Sequence, residues 1–188
     1  EMTDGKISNN TASENGGGIY SRGKLTISGG EISNNTATSY GGGICIVSGT
    51  ATMNGGTISK NTATKNGGGI YFNYSSGTLA ISDTAKIDGN SADSGAGIFI
   101  NSGTATMTGG TISNNTATKN GGGIHSVGDL TISGGTISNN TASTNGGGIY
   151  SKFVLAISGG TISKNTATKN GGGIYFDYSS GTLAISDT

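Results

Sequence analysis

Isoleucines return at a nearly fixed interval along this chain, with polar residues between them. A Gly-Ile pair recurs every 25 to 28 residues, with its isoleucine at Ile19, Ile44, Ile70, Ile98, Ile124, Ile149 and Ile174. A second line consists of Ile7, Ile32, Ile58, Ile87, Ile112, Ile137 and Ile162. A third apolar line consists of Met2, Ile27, Met53, Ile81, Met107, Ile132, Ile157 and Ile185. The pattern predicts about seven repeats, each with three short strands.

The residues between these lines favour strands over helices. In Leu25-Thr26-Ile27-Ser28 apolar and hydroxyl side chains alternate, which puts isoleucine inward and Ser or Thr outward. Glycine triplets interrupt nearly every repeat, and helices of ten or more residues have no room between them. We therefore predict an all-β parallel β-helix (a solenoid) in which each strand stacks about 4.8 Å from its equivalent in the next coil.

Composition alone would mislead, because hydrophobic residues are only 31% of the chain and glycine contributes 38 residues. Net charge is zero, however, and the apolar residues are periodic, which argues against disorder. Thr57–Thr84 returns as Thr161–Thr188 with only Asn73 changed to Asp177, so residues 1–84 correspond to 105–188 after a 104-residue duplication. We predict one β-helix domain over residues 1–188.

The motif GGTISNNTATKNGGGI, at residues 109–124, also contains polar positions that recur in every coil. An asparagine tolerates left-handed backbone, and its amide can both donate and accept, so stacked copies should form a structural ladder. The ladder positions are Asn10, Asn35, Asn61, Asn90, Asn115, Asn140 and Asn165. The alanine two residues later fits a narrow corner, and the glycine triplet permits positive φ at the next one.

The residue after each motif isoleucine should point outward. These residues are mostly aromatic and should stack into a candidate surface-binding stripe formed by Tyr20, Tyr71, Phe99, His125, Tyr150 and Tyr175, with Cys45 in the second coil. The stripe could bind a glycan or another protein, or could simply reflect the strand propensity of aromatic residues. His125 and Cys45 are not neighbours in it, so neither a metal site nor a Cys-His nucleophile is predicted.

Two seven-residue segments lengthen their coils, at Tyr71–Gly77 and Tyr175–Gly181, and should protrude on one side about 19 Å apart. Asp83, Asp88 and Asp93 are concentrated in one coil, but their spacing distributes them over different sides. Asp93 lies between Lys65 and Lys119 in the predicted stack, where a surface ion pair is expected.

Several other chemistries fit poorly. Thr and Ser alternate on one line, as in Thr57-x-Ser59 and Thr111-x-Ser113, which resembles ice-binding solenoids, although charged residues interrupt the array. Calcium-binding β-rolls need aspartate where this chain has Tyr20 and its equivalents. Zero net charge disfavours nucleic acid, and one arginine with scattered acids offers no convergent catalytic cleft. We predict no cofactor, metal or catalytic residue.

The Gly121-Gly122-Gly123-Ile124 and Ile112-Ser113-Asn114-Asn115 motifs resemble the paired GGA-Ile and Phe-x-x-Asn motifs of polymorphic membrane protein repeats in bacterial autotransporter adhesins, and similar repeats of bacterial and archaeal surface proteins. Here glycine replaces alanine and isoleucine replaces phenylalanine. The resemblance covers the whole chain and implies a right-handed β-helix of the pectate-lyase-like kind, exported and exposed at a bacterial or archaeal cell surface. It transfers no binding site.

We therefore expect a non-enzymatic extracellular structural or adhesin segment of a longer exported protein, since no signal peptide or membrane-length apolar run is present. Its expected partners are a cell-surface glycan or protein, or a second copy by end-to-end or lateral self-association, without membrane insertion. The alternatives are a self-assembling fibre subunit, an ice-binding face, and a non-catalytic part of a glycan-active enzyme.

Overall fold

The computed structural model describes residues 1–177 and 181–186, which wind into seven stacked coils. Each coil pairs in parallel with the next at equivalent residues: Ile7 lies opposite Ile32, and Ile32 opposite Ile58. The first coil begins at Ile7, and each following coil begins at the next equivalent isoleucine. The lines that start at Ile7, Ile19 and Met2 are called face 1, face 2 and face 3, respectively. The predicted all-β solenoid, with three core-facing strands in each coil, is confirmed.

Most strands on the three faces are three residues long. Face 1 contains Lys6–Ser8, Glu31–Ser33, Thr57–Ser59, Lys86–Asp88 and Thr111–Ser113. Face 2 contains Ile19–Ser21, Ile44–Ile46, Ile124–Ser126, Ile149–Ser151 and Ile174–Phe176. Face 3 contains Leu25–Ile27, Ala51–Met53 and Thr182–Ile185, and Met2 joins it through a bridge to Ile27.

Four longer strands continue around a corner and join the faces into one sheet. Ile70–Ile81 and Ile98–Met107 run from face 2 to face 3. Asp129–Ser138 and Val154–Ser163 run from face 3 to face 1 of the next coil. Corners at these levels are therefore hydrogen-bonded rather than open.

A fourth, very short strand follows face 1 in every coil, at the corner where the sequence predicts only a narrow turn. These strands are Thr11–Ala12, Thr36–Ala37, Thr62–Ala63, Ser91–Ala92, Thr116–Ala117, Thr141–Ala142 and Thr166–Ala167, and they form a separate seven-stranded sheet. Ala63, Ala92, Ala117 and Ala142 pack with Ala96 in a small buried cluster. The alanine repeat thus fills this narrow corner.

The core is a continuous stack of aliphatic side chains from the three faces. Ile58, Ile87 and Ile112 are fully buried on face 1, and the core continues through Phe72 and Leu79 in the third coil. Burying such a side chain contributes about 1.5–3 kcal/mol, so neighbouring coils stabilise each other through this stack.

The left-handed corner residue is the one before each ladder asparagine, which corrects the expectation that the ladder asparagine itself is left-handed. The positive φ angles are 59° at Asn9, 55° at Asn34, Lys60 and Lys164, 56° at Asn114 and Asn139, and 64° at Gly89. The preceding residue makes the turn, and the ladder side chain is buried between coils. The first glycine of each triplet is also left-handed, with φ of 63° to 70° from Gly16 to Gly171, as is Gly95 at 58° in the Gly-Ala-Gly of the fourth coil.

Candidate functional site

The seven ladder asparagines form a continuous chain of hydrogen bonds along the solenoid. At Asn115, the side-chain Nδ2 donates to Asn140 Oδ1 at 2.9 Å and to the carbonyl of Ile87 at 3.1 Å. Its Oδ1 accepts from the backbone N and the Nδ2 of Asn90 at 2.9 and 3.0 Å. Asn35, Asn61, Asn90, Asn115 and Asn140 are all buried. Both hydrogens and both lone-pair directions of Asn115 are therefore used inside the protein.

The residues of the predicted stripe stack in register on face 2, outside the aliphatic core. Ring centroids are 5.7 Å apart between Tyr71 and Phe99, 4.6 Å between Phe99 and His125, 4.5 Å between His125 and Tyr150, and 5.2 Å between Tyr150 and Tyr175. These distances are those of interacting aromatic pairs. From Tyr71 to Tyr175 the stripe is therefore a column of mutually packed rings, and Cys45 separates Tyr20 from it.

This packing corrects the expectation of an open aromatic binding surface. Tyr71, Phe99, His125 and Tyr150 are only 5–7% exposed, whereas Tyr20 is 45% exposed. Each ring covers the face of its neighbour, so few ring faces remain available to a ligand. Tyr175 is half-buried.

Tyr40 extends the column, although it does not follow a motif isoleucine. It occupies the corner position of Asn15 and Asn66, with which it forms bridges, and its ring stacks on Tyr71 at 4.6 Å. Tyr71, Phe99 and Cys45 are buried together against Tyr40 and Val47. Alignment of the corner positions would have shown one aromatic residue in a column that otherwise contains mainly asparagine.

Burial moves the pKa values of both His125 and Cys45 away from neutral pH. Burial, with a contribution from nearby Lys152, lowers the pKa of His125 to about 3, so the imidazole is neutral at physiological pH. Burial raises the pKa of the Cys45 thiol to about 11, which leaves it protonated. Neither side chain has the pKa of an acid, base or nucleophile working near neutral pH.

The aspartates do not converge. Asp93 Oδ2 lies 2.7 Å from Lys119 Nζ, which confirms the expected surface ion pair, and hydrogen bonds from Lys119 and Thr118 lower the pKa of Asp93. Burial alone would raise the pKa of Asp88, but hydrogen bonds from Ser113 and Asn114 and the charge of Lys86 lower it. Within residues 1–177 and 181–186, no group of three or more His, Cys, Asp or Glu side chains could hold a metal ion.

The hydroxyl line of face 1 is covered in its middle coils. Ser113 and Ser138 are buried, and their partners Thr111 and Thr136 are half-buried. Ser113 Oγ donates to Asp88 Oδ1 at 2.7 Å. These two serine hydroxyls are thus covered within the protein, whereas Ser59 and Ser163 are half-buried, and ice binding stays a prediction.

The first predicted protrusion is part of the long strand Ile70–Ile81, whose pairing with the next coil shifts register at Asn73. Asn73 Oδ1 accepts from Asn101 Nδ2 at 2.9 Å and from Ser102 Oγ at 3.0 Å, and Tyr74 is 37% exposed. The segment is therefore attached to the fourth coil as well as to its own. The second segment, Tyr175–Gly181, includes residues 178–180, which lie outside the described residues.

These features define a parallel β-helix repeat protein in which most recurring polar groups are used in stacking. The chain belongs to the right handed beta helix region family, whose model matches residues 2–134. The Chlamydia polymorphic membrane protein repeat matches residues 134–152 and 159–177. The resemblance to these repeats and the right-handed fold are thereby confirmed.

Neither the curated proteins nor the solved structures yield a match. The described part of the chain contains no helix of the length and hydropathy needed to span a membrane.

Proposed function

We propose that this chain is a non-enzymatic, extracellular, adhesin-like repeat segment that presents its outer surface to a partner on a cell. The observation that carries the proposal is the match of residues 134–152 and 159–177 to a repeat of a Chlamydia membrane protein. These residues belong to the same coil scaffold as the rest of the chain. Positions that build the scaffold recur in every coil, so specificity belongs to outward residues that differ between coils.

The state of the reactive groups supports a non-enzymatic role. Glu31 pairs with Lys6 at 3.1 Å, and Asp93 pairs with Lys119, so these carboxylates are engaged in surface contacts. His125 stays neutral and Cys45 stays protonated at physiological pH. The carboxylates pair with lysines at the surface, and His125 and Cys45 pack against neighbouring side chains, so none of these groups is placed for a proton-transfer or nucleophilic step.

Two measurements test the proposal. Antibodies against the folded segment should label intact source cells as strongly as permeabilised ones, and beads coated with the segment should adhere to cells. Beads coated with heat-unfolded segment are the control for nonspecific adhesion. Labelling only after permeabilisation, or equal adhesion of both kinds of bead, would contradict the proposed surface role.

A further inference from the structure

We propose that a cleft at the corner between faces 2 and 3 binds a neutral saccharide. This inference rests on the proposed function and names the ligand class of the adhesive surface. The cleft has a volume of about 300 Å³ and crosses coils 3 to 6. Its walls include Ser75, Asn101, Thr104, Val127, Asp129 and Phe153.

Unequal connections between faces 2 and 3 build the cleft. On face 3, Leu79 lies nine positions after Ile70 of face 2, and Ala105 lies seven positions after Ile98. In the next two coils, Leu130 and Leu155 lie only six positions after Ile124 and Ile149. Because the connections between faces 2 and 3 are longer in coils 3 and 4 than in coils 5 and 6, the outer surface at this corner is stepped between coils 4 and 5. The cleft lies at that step.

The apolar part of this region is exposed, unlike the packed column on face 2. Phe153 is 43% exposed and Val127 is 37% exposed, and both line the cleft. A pyranose ring has an apolar C–H face that packs on such side chains, and an aromatic ring offers the largest flat area for it. The exposed hydrophobic surface is thus matched to one face of a sugar.

The polar part of the lining can hydrogen-bond the hydroxyl groups of the same ring. Ser75 and Thr104 carry hydroxyls, and the amide of Asn101 is oriented by its hydrogen bond to Asn73. Asp129 Oδ1 is buried and has no hydrogen-bond donor in the described part of the structure. Oδ1 itself is closed to solvent, but Asp129 as a whole is half-buried and lines the cleft, so a ligand hydroxyl would donate to the part of this side chain that faces the cleft.

The charge of the cleft selects against other ligands. Among the described residues that line the cleft there is no lysine or arginine, and Asp129 would repel phosphate and other anions. The volume is at the small end for ligand sites, which suits one sugar unit better than a long chain. Glycoside hydrolysis usually requires two carboxyl groups flanking the bond. Asp129 is the one carboxylate that the described part of the chain contributes to this cleft, which suits binding without cleavage.

The test compares binding of neutral sugars by the intact chain and three variants. Glucose, galactose, mannose and N-acetylglucosamine are screened by ligand-observed NMR, and a sugar that binds is titrated against each variant. F153S removes the aromatic contact, and D129N keeps the shape of the carboxylate but removes its charge. Y20S is the matched control, because Tyr20 is similarly exposed at 45% but lies outside the cleft.

We expect at least one neutral sugar to bind, with affinity reduced about tenfold by F153S and by D129N and unchanged by Y20S. Melting curves of the variants confirm that each remains folded. Absence of binding by all four sugars, or equal affinity of wild type and folded F153S, would overturn the inference. Adhesion of coated beads to cells would then still support the proposed function, because it would locate the partner on another surface.

Discussion

Asn115 and His125 are both buried polar residues, but their hydrogen-bonding capacity is met to different degrees. Each side-chain hydrogen-bonding group of Asn115 has a partner in a neighbouring coil. In contrast, His125 Nδ1 is buried between the rings of Phe99 and Tyr150 and has no hydrogen-bond partner among the described residues. A satisfied buried amide stabilises one stacking register, whereas an imidazole held neutral makes stability depend on pH.

Replacing Asn115 with aspartate should destabilise the fold by about 3 kcal/mol or more. The substitution puts an oxygen where Nδ2 now donates to Ile87 and Asn140, and it buries a charge without a cation beside it. Thermal unfolding followed by circular dichroism measures the effect. Asn139→Asp is the control at an exposed position, where a change below about 0.5 kcal/mol is expected. Equal melting of both variants would show that the ladder contributes little.

Acidification should destabilise the protein through His125. Its pKa is about 3 in the folded protein against an ordinary value of 6.5, so the unfolded chain binds a proton first as pH falls. The stabilisation is complete above about pH 6.5 and decreases below it, by about 2 kcal/mol between about pH 7 and about pH 5. Denaturant unfolding at these pH values measures it.

His125→Phe should remove most of this pH dependence, because phenylalanine continues the ring stack without titrating. The carboxylates of Asp88 and Asp93 have lowered pKa values, so they titrate below this range and contribute little to it. An equally steep loss of stability in His125→Phe would show that another group is responsible.

At the scale of the coil, close backbone contact sets the sequence of the corners. A Cβ added at Gly122 would lie 2.5 Å from the carbonyl oxygens of both Thr141 and Gly147 in the next coil. The fourth coil has Ala96 at the equivalent position, fully buried in the alanine cluster, so the local backbone there accommodates one methyl group. The glycine triplet therefore has two functions: positive φ at its first residue and close coil-to-coil approach at its second.

Gly122→Ala should cost about 3 kcal/mol, because both close contacts are to backbone that is itself hydrogen-bonded between coils. Gly23→Ala is the matched control, since its Cβ would have no atom within 4 Å. The control should change stability by less than about 1 kcal/mol. Guanidinium unfolding of both variants measures the difference, and a stable Gly122→Ala variant would mean that coil spacing adjusts readily.

Periodic elements were predictable from the sequence, whereas features that depend on several coils together were not. The three apolar lines follow from the spacing of residues such as Ile112 and Ile124, since each coil repeats the same constraint. Alternation placed Phe99 outside the core correctly, but it could not show that neighbouring rings would bury it. The cleft beside Phe153 depends on the relative lengths of four connections, so no single repeat contains its signal.

At the scale of the whole molecule, each coil contacts mainly the coils before and after it. The face 1 strand Thr111–Ser113 pairs with Lys86–Asp88 on one side and with residues 136–138 on the other. Stability in such an array is approximately a sum of coil terms and nearest-neighbour interface terms. Length differences are concentrated at the corner between faces 2 and 3, so this corner can vary while the stack keeps its register.

Deletion of residues 111–135 should therefore leave a folded solenoid of six coils. The deletion joins Gly110 to Thr136, which occupies the same position one coil later, and Asn90 then stacks on Asn140 in place of Asn115. Cooperative unfolding should persist, with the denaturant dependence of the unfolding free energy reduced by about one seventh. Deletion of residues 111–122 is the control, because it removes about half a coil and places polar residues opposite the isoleucine lines. Loss of folding in the whole-coil deletion, or equal stability of the two deletions, would contradict an array held together by nearest-neighbour stacking.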